Sequence, residues 1–243
     1  MTESTVTKTA FHRTTIGVYV VSLALMVVAG LENGVAPWSP YYVVYAALAT
    51  LLPLRWKTYR FGPVREVPWW WWAVAPVLAI ILQATASVLV NVVYGQIVVK
   101  LGGPQRLDDP VIGVPAMFQA MYAAASMKLG LDINTVRVTY LGFLVAWAGF
   151  GEEVYFRGYV QGVLTERKGR RYAIVVASIL FAVRHYVQMG LLLDKYPVFA
   201  ATAWVAMALP LGIVLGIIYD RTKSLWIPVA IHYLFNIIPF ILN

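Results

Sequence analysis

Apolar residues run along this chain in long blocks separated by short polar connections. Seven such blocks lie near residues 15–31, 38–54, 70–98, 137–164, 172–193, 198–219 and 225–242. Each approaches or exceeds the roughly 20 mostly apolar residues that a helix needs to cross a bilayer. The pattern predicts an all-α fold, a polytopic transmembrane helix bundle of about seven spans forming a single integral membrane domain over residues 1–243. Residues 111–127 are ambiguous: Val111 to Met127 is apolar but interrupted by Gly113 and Pro115, and Lys128 follows. We read this segment as a re-entrant or interfacial helix. An eighth crossing is the alternative, and it would move the later basic cluster at Arg167 to the other side. Trp69 to Trp72 open the third block as an aromatic belt at headgroup level. Pro76, Gln83 and Asn91 within that block predict a kink or tilt. Gly158 with Gly162, and Gly212 with Gly216, have the small-xxx-small spacing that lets helix backbones approach.

Composition strengthens the membrane reading. Sixty per cent of the 243 residues are hydrophobic and 12% charged, with a mean hydropathy of +0.72, against roughly 45–50% apolar in an ordinary soluble domain. The absence of cysteine excludes disulfides, thiol catalysis and zinc sites with thiolate ligands. A net charge of +8 invites nucleic acid as a partner, but its placement argues otherwise. Lys8 and Arg13, then Arg55, Lys57, Arg60 and Arg65, then Arg167, Lys168, Arg170 and Arg171, then Arg221 and Lys223 occupy every second connection. That is the positive-inside pattern, and it predicts a cytoplasmic N-terminus with Asn243 on the opposite side. The first block is read as a span and not as a cleaved signal, because the preceding segment is long and Leu31-Glu32-Asn33-Gly34 makes a poor mature start. A prokaryotic inner or archaeal plasma membrane is the expected location.

Within this apolar background, Glu152 and Glu153 are the two of the eleven acidic residues that lie well inside an expected span. Carboxylates at that depth are costly, face inward and mark function. On a helix Glu153 and Arg157 are i,i+4 and can pair, whereas Glu152 points about 100° away and is open to another partner. Of three histidines, His12 lies in the N-terminal tail, while His185 and His232 fall in expected spans. Phe181 precedes His185 by one turn, and Asn236 follows His232 by one turn, on the same helix face. A buried carboxylate or a histidine can take a proton from water. A histidine and an asparagine can donate hydrogen bonds to the oxyanion of a tetrahedral intermediate. These are parts for attacking an amide with water, and the chain has no Gly-x-Ser-x-Gly, no His-Glu-x-x-His and no cysteine to suggest another nucleophile. Taken singly, each has a plainer reading: Glu153–Arg157 as a structural ion pair, and His185 or His232 with Asn236 as interhelical hydrogen bonds.

Three motifs in order carry a family resemblance: Glu-Glu-x-x-x-Arg at Glu152 to Arg157, Phe-x-x-x-His at Phe181 to His185, and His-x-x-x-Asn at His232 to Asn236. With the run from Gly216 to Pro228, the region of about residues 137–240 resembles the CPBP family, also called the CAAX protease and bacteriocin-processing or Abi family. The resemblance implies a glutamate-dependent intramembrane endopeptidase without a metal cofactor. It implies that Glu152 and His185 hold and activate water, that His232 and Asn236 stabilise the oxyanion, and that Glu153, Arg157 and Phe181 support the site. The implied partner, besides the lipid bilayer, is a membrane-associated protein or peptide, prenylated or with a hydrophobic C-terminal segment. Arg184 has two readings: snorkelling to the interface, or binding a substrate carboxylate. Ligand identity alone leaves zinc on Glu152, His185 and His232 as an alternative. A non-enzymatic immunity or peptide-binding protein, and a proton-coupled transporter, are the competing classes.

Overall fold

The computed structural model describes residues 16–28, 40–56, 64–93, 100, 114–143, 147–192 and 197–241, and every element among them is helical. In chain order they are α1 (Ile16–Val28), α2 (Pro40–Trp56), a 3-10 turn (Val64–Glu66), α3 (Trp69–Val93), α4 (Val114–Leu129) and α5 (Ile133–Phe143). Then come α6 (Gly149–Glu153), a π-helical segment (Val154–Gln161), α7 (Gly162–Lys168), α8 (Arg170–Leu192), α9 (Pro197–Thr222) and α10 (Trp226–Ile241). An apolar medium offers backbone N–H and C=O groups no partner, so a chain of this composition closes its hydrogen bonds within each segment.

Two described stretches have both the length and the apolarity of a crossing, Trp69–Leu89 and Trp204–Thr222, while Ile16–Val28 and Trp226–Ile238 are apolar but shorter. The all-α expectation is met, and seven crossings stays an expectation of the sequence. The block expected as one span over 137–164 falls on two stretches, α5 and the run from α6 through α7, with residues 144–146 outside the described residues. The segment expected as a re-entrant helix is helical from Val114. Lys8, His12, Arg13, Pro37 and Asn243 lie outside the described residues.

On α3 the small residues Ala75, Ala79 and Ala86 are buried, while Val77, Ile80, Ile81 and Val88 are exposed. This reverses the arrangement of a soluble helix: small side chains let the backbone approach its neighbours and branched chains face lipid. Trp69, Trp70 and Trp72 are exposed at the start of the same helix, consistent with the expected belt.

Helices α8 and α9 pack along most of their length, and α10 is held against α3, α6 and α9. The α8–α9 approach depends on Gly212, where an added Cβ would lie 3.2 Å from both Cα and Cβ of Ser178. Gly169, at φ +85°, turns α7 into α8. Asp220 then joins the two basic turns at that end, with Oδ1 2.6 Å from Lys223 Nζ and Oδ2 3.6 Å from Arg170 Nη1. At the start of α5, Asp132 accepts hydrogen bonds from the amides of Asn134 and Thr135, each at 3.0 Å, and from the Thr135 hydroxyl. These bonds, the hydroxyl's first, hold the Asp132 carboxyl below its ordinary value.

Candidate active site

The site begins with two glycines. Gly149 and Gly151 flank Phe150 in α6, where a Cβ would fall 2.3 Å from Tyr233 Cδ1 and 2.3 Å from Trp147 Nε1 respectively. Trp147 is in turn fixed to α2, its Nε1–H lying 3.1 Å from the Ala46 carbonyl and 3.0 Å from Thr50 Oγ1. These contacts seat Glu152 and Glu153 at the end of α6, 2% and 0% exposed. The helix then widens into the π segment, whose eight residues are all buried. Departures of this kind from the α-helix are frequent at functional sites.

Glu153 and Arg157 pair as the spacing predicts, with Nη1 2.9 Å from Oε1. The second guanidinium arm, Nη2, donates to the Gly212 carbonyl at 3.2 Å. One turn further along, Gln161 Nε2 donates to the Gly216 carbonyl at 2.9 Å. The two glycines of α9 thus do more than admit a neighbouring backbone: they present carbonyls to two side chains from the π segment. Gln161 carried no motif, and only its polarity in an apolar run hinted at a partner.

Glu153 also reaches α10, where His232 Nδ1 lies 2.7 Å from its Oε1. A carboxylate only accepts, so the ring donates through Nδ1–H and turns Nε2 inward. That Nε2 is 3.9 Å from Oε2 of Glu152. His232 therefore stands between the two acids, and Glu153 positions a site residue besides pairing with Arg157.

Glu152 faces α8. Its Oε1 is 3.0 Å from Arg184 Nη1, and its Oε2 is 4.0 Å from His185 Nε2. The same Arg184 nitrogen is 3.1 Å from His185 Nε2, and His185 Nδ1 is 2.8 Å from the Phe181 carbonyl. Arginine only donates and a carbonyl only accepts, so His185 is the neutral Nδ1–H tautomer. Arg184 is 2% exposed, and it does not snorkel: the first reading of it is corrected by a buried carboxylate partner that the sequence left unnamed.

Phe181 spaces these groups. Its ring centroid is 4.5 Å from the Arg157 guanidinium carbon, 4.4 Å from the His185 ring and 5.9 Å from the His232 ring. Asn236 lies one turn beyond His232 on α10, half-buried, and makes no hydrogen bond among the described residues. The structure thus brings together Glu152, Glu153, Arg157, Phe181, Arg184, His185 and His232, and leaves Asn236 adjacent.

Two acids and two guanidinium groups compensate each other in this interior, as buried charges must. For zinc the donor set is poor. Among the described residues no group of three His, Cys, Asp or Glu is arranged to hold a metal ion, and the Arg184 cation lies against both Glu152 and His185. The ungrouped carboxylate oxygen, Oε2, instead lies at nearly equal distances from two imidazole Nε2 atoms. Separations of 3.9–4.0 Å exceed a direct hydrogen bond, and they suit a water that bridges them.

Residues 134–238 match the family model described as type II CAAX prenyl endopeptidase Rce1-like. The matched stretch is similar to the CPBP/CAAX protease family. At family level the match supports a CAAX protease-type intramembrane peptidase, a hydrolase, and the apolar helices fit an integral membrane protein. The matched stretch contains all three motifs, from Glu152 through Asn236. No curated protein and no solved structure matches the chain.

Proposed function

We propose that this protein hydrolyses a peptide bond in a membrane-associated substrate bearing a prenylated or otherwise hydrophobic C-terminal segment, using water activated by Glu152 and His185. The observation that carries the reading is the convergence of Glu152 Oε2 with the Nε2 atoms of His185 and His232, at 4.0 and 3.9 Å, within a stretch that matches a prenyl endopeptidase family.

Water held against Oε2 loses a proton to Glu152 as its oxygen attacks the carbonyl carbon. Glu152 takes this proton because the Nε2 lone pair of His185 is engaged by Arg184; His185 orients the water's other side. The carbonyl oxygen becomes an oxyanion, and a donor to it is worth about 3–4 kcal/mol. His232, oriented by its Nδ1 contact to Glu153, presents Nε2 to the oxyanion and donates to it when that nitrogen carries a proton. Asn236 adds its carboxamide from one turn away. When the C–N bond breaks, the proton on Glu152 passes to the departing amine. Glu153, Arg157 and Phe181 hold these groups in register. The basic turns support a cytoplasmic N-terminus, and a prokaryotic inner or archaeal plasma membrane is the proposed location.

The test is cleavage of a farnesylated peptide ending in a CAAX sequence by the full chain in vesicles. Wild type releases a C-terminal fragment and Glu152→Gln does not. Equal cleavage by the two proteins overturns the mechanism. Peptide binding without cleavage by wild type favours a non-enzymatic binder.

A further inference from the structure

We infer that Arg184 is a positioning residue for this chemistry: one of its guanidinium nitrogens holds Glu152 as a carboxylate and ties it to His185. The inference rests on the proposed peptidase reading and goes beyond its motifs, since Arg184 belongs to none of the three.

The geometry is specific. Nη1 is 3.0 Å from Glu152 Oε1 and 3.1 Å from His185 Nε2, so a single nitrogen joins the acid and the imidazole proposed to handle water. This contact takes up Oε1 and leaves Oε2 directed at the two histidines. The guanidinium carbon lies 5.1 Å from the Tyr45 ring centroid. Tyr45 is 1% exposed and stands edge-on to Trp147, with centroids 5.2 Å apart. An aromatic face of this kind attracts a guanidinium and limits its alternatives. Through Tyr45, α2 forms a wall behind the site although it contributes no motif.

Charge explains why the contact matters. The groups facing Glu152 are Arg184 and His185 from α8, His232 from α10, and Glu153 and Arg157 from its own helix. Arg157 is committed to Glu153 at 2.9 Å, and His185 is neutral. Arg184 is the cation in direct contact with Glu152. A buried carboxylate deprived of its cation takes up a proton, and a protonated Glu152 cannot accept one from water.

Two readouts on the full chain in phosphatidylcholine vesicles test this. Infrared spectra at pH 7 are compared for wild type, Arg184→Gln, and Arg184→Gln with Glu152→Gln. A protonated-carboxyl band is expected in Arg184→Gln and absent from the other two. Cleavage of the farnesylated CAAX peptide by Arg184→Gln is expected to fall about 10-fold or more at pH 7, through kcat with KM retained. It should recover towards alkaline pH, and Arg184→Lys should restore part of it. If the band is missing from Arg184→Gln, or its pH–rate profile has the wild-type shape, the inference is overturned. Should Arg184→Gln fail to fold, the neutral Arg184→Met carries both readouts with the same expected outcomes; a wild-type profile in that variant overturns the inference. If wild type cleaves no such peptide, the peptidase reading is what fails, and the infrared comparison still decides the role of Arg184.

Discussion

The two halves of the buried charge cluster use the same residue types for different ends. On one side Glu153 is bonded from within and across through one oxygen: Arg157 and His232 both bond its Oε1, Oε2 is buried without a hydrogen-bond partner among the described residues, and Arg157 continues to the Gly212 carbonyl. On the other, Glu152 commits Oε1 to Arg184 and turns Oε2 to two imidazoles at 3.9–4.0 Å. The first is closed by direct bonds through Oε1, and the second has geometry that admits a water. Adjacent residues of identical chemistry thus acquire separate roles from the helices they face.

Replacing Glu152 breaks the open half. Glu152→Gln keeps a carbonyl for Arg184, and cleavage is expected to drop by about 10²–10⁴-fold, the range of a lost general base, while the thermal melt shows a folded protein. Breaking the closed half should reverse that emphasis. Arg157→Ala leaves Glu153 buried against His232 without its cation and is expected to cost about 3–5 kcal/mol of stability, read as lost folded yield and a lowered melting temperature. Arg157→Lys should recover only part, since an ammonium cannot reproduce the fork that serves both Glu153 and Gly212. If Arg157→Ala melts like wild type, the division between the halves is wrong.

A smaller effect tests the α9 side of the closed half. Gly212→Ala places a methyl 3.2 Å from Ser178 backbone, and is expected to cost about 1–3 kcal/mol by overpacking. The smallest effect lies outside both halves, at Asp132. Its carboxyl is held below the ordinary value, so its contribution is present above the ordinary carboxylate range and is lost as pH falls through the lowered value. Asp132→Asn should flatten the acid side of a stability–pH curve slightly and leave cleavage unchanged.

Local rules made part of this site legible. Glu153–Arg157 follows from i,i+4 spacing, and it survives in the wider π segment. The three motifs named the residues that the fold gathers. What the sequence could not supply was helix register: nothing local says that Glu153 meets His232, or that Glu152 meets Arg184. The same gap hid Gln161, whose partner is a carbonyl on another helix, and Tyr45, whose helix has no motif. The glycines before the acidic pair were equally silent, because their reason is Trp147 and Tyr233.

The distribution of these charges over helices has a consequence for how the protein is made. Arg157 and Glu153 neutralise each other within one helix, so that pair can enter the bilayer together during synthesis. Glu152 leaves the same helix with one negative charge outstanding, and Arg184 arrives later, on α8, with one positive charge. Each is costly in lipid alone. Their meeting is therefore an assembly step that rewards docking of α8 against the π segment, and Glu152 gains its counter-charge only when that docking is complete.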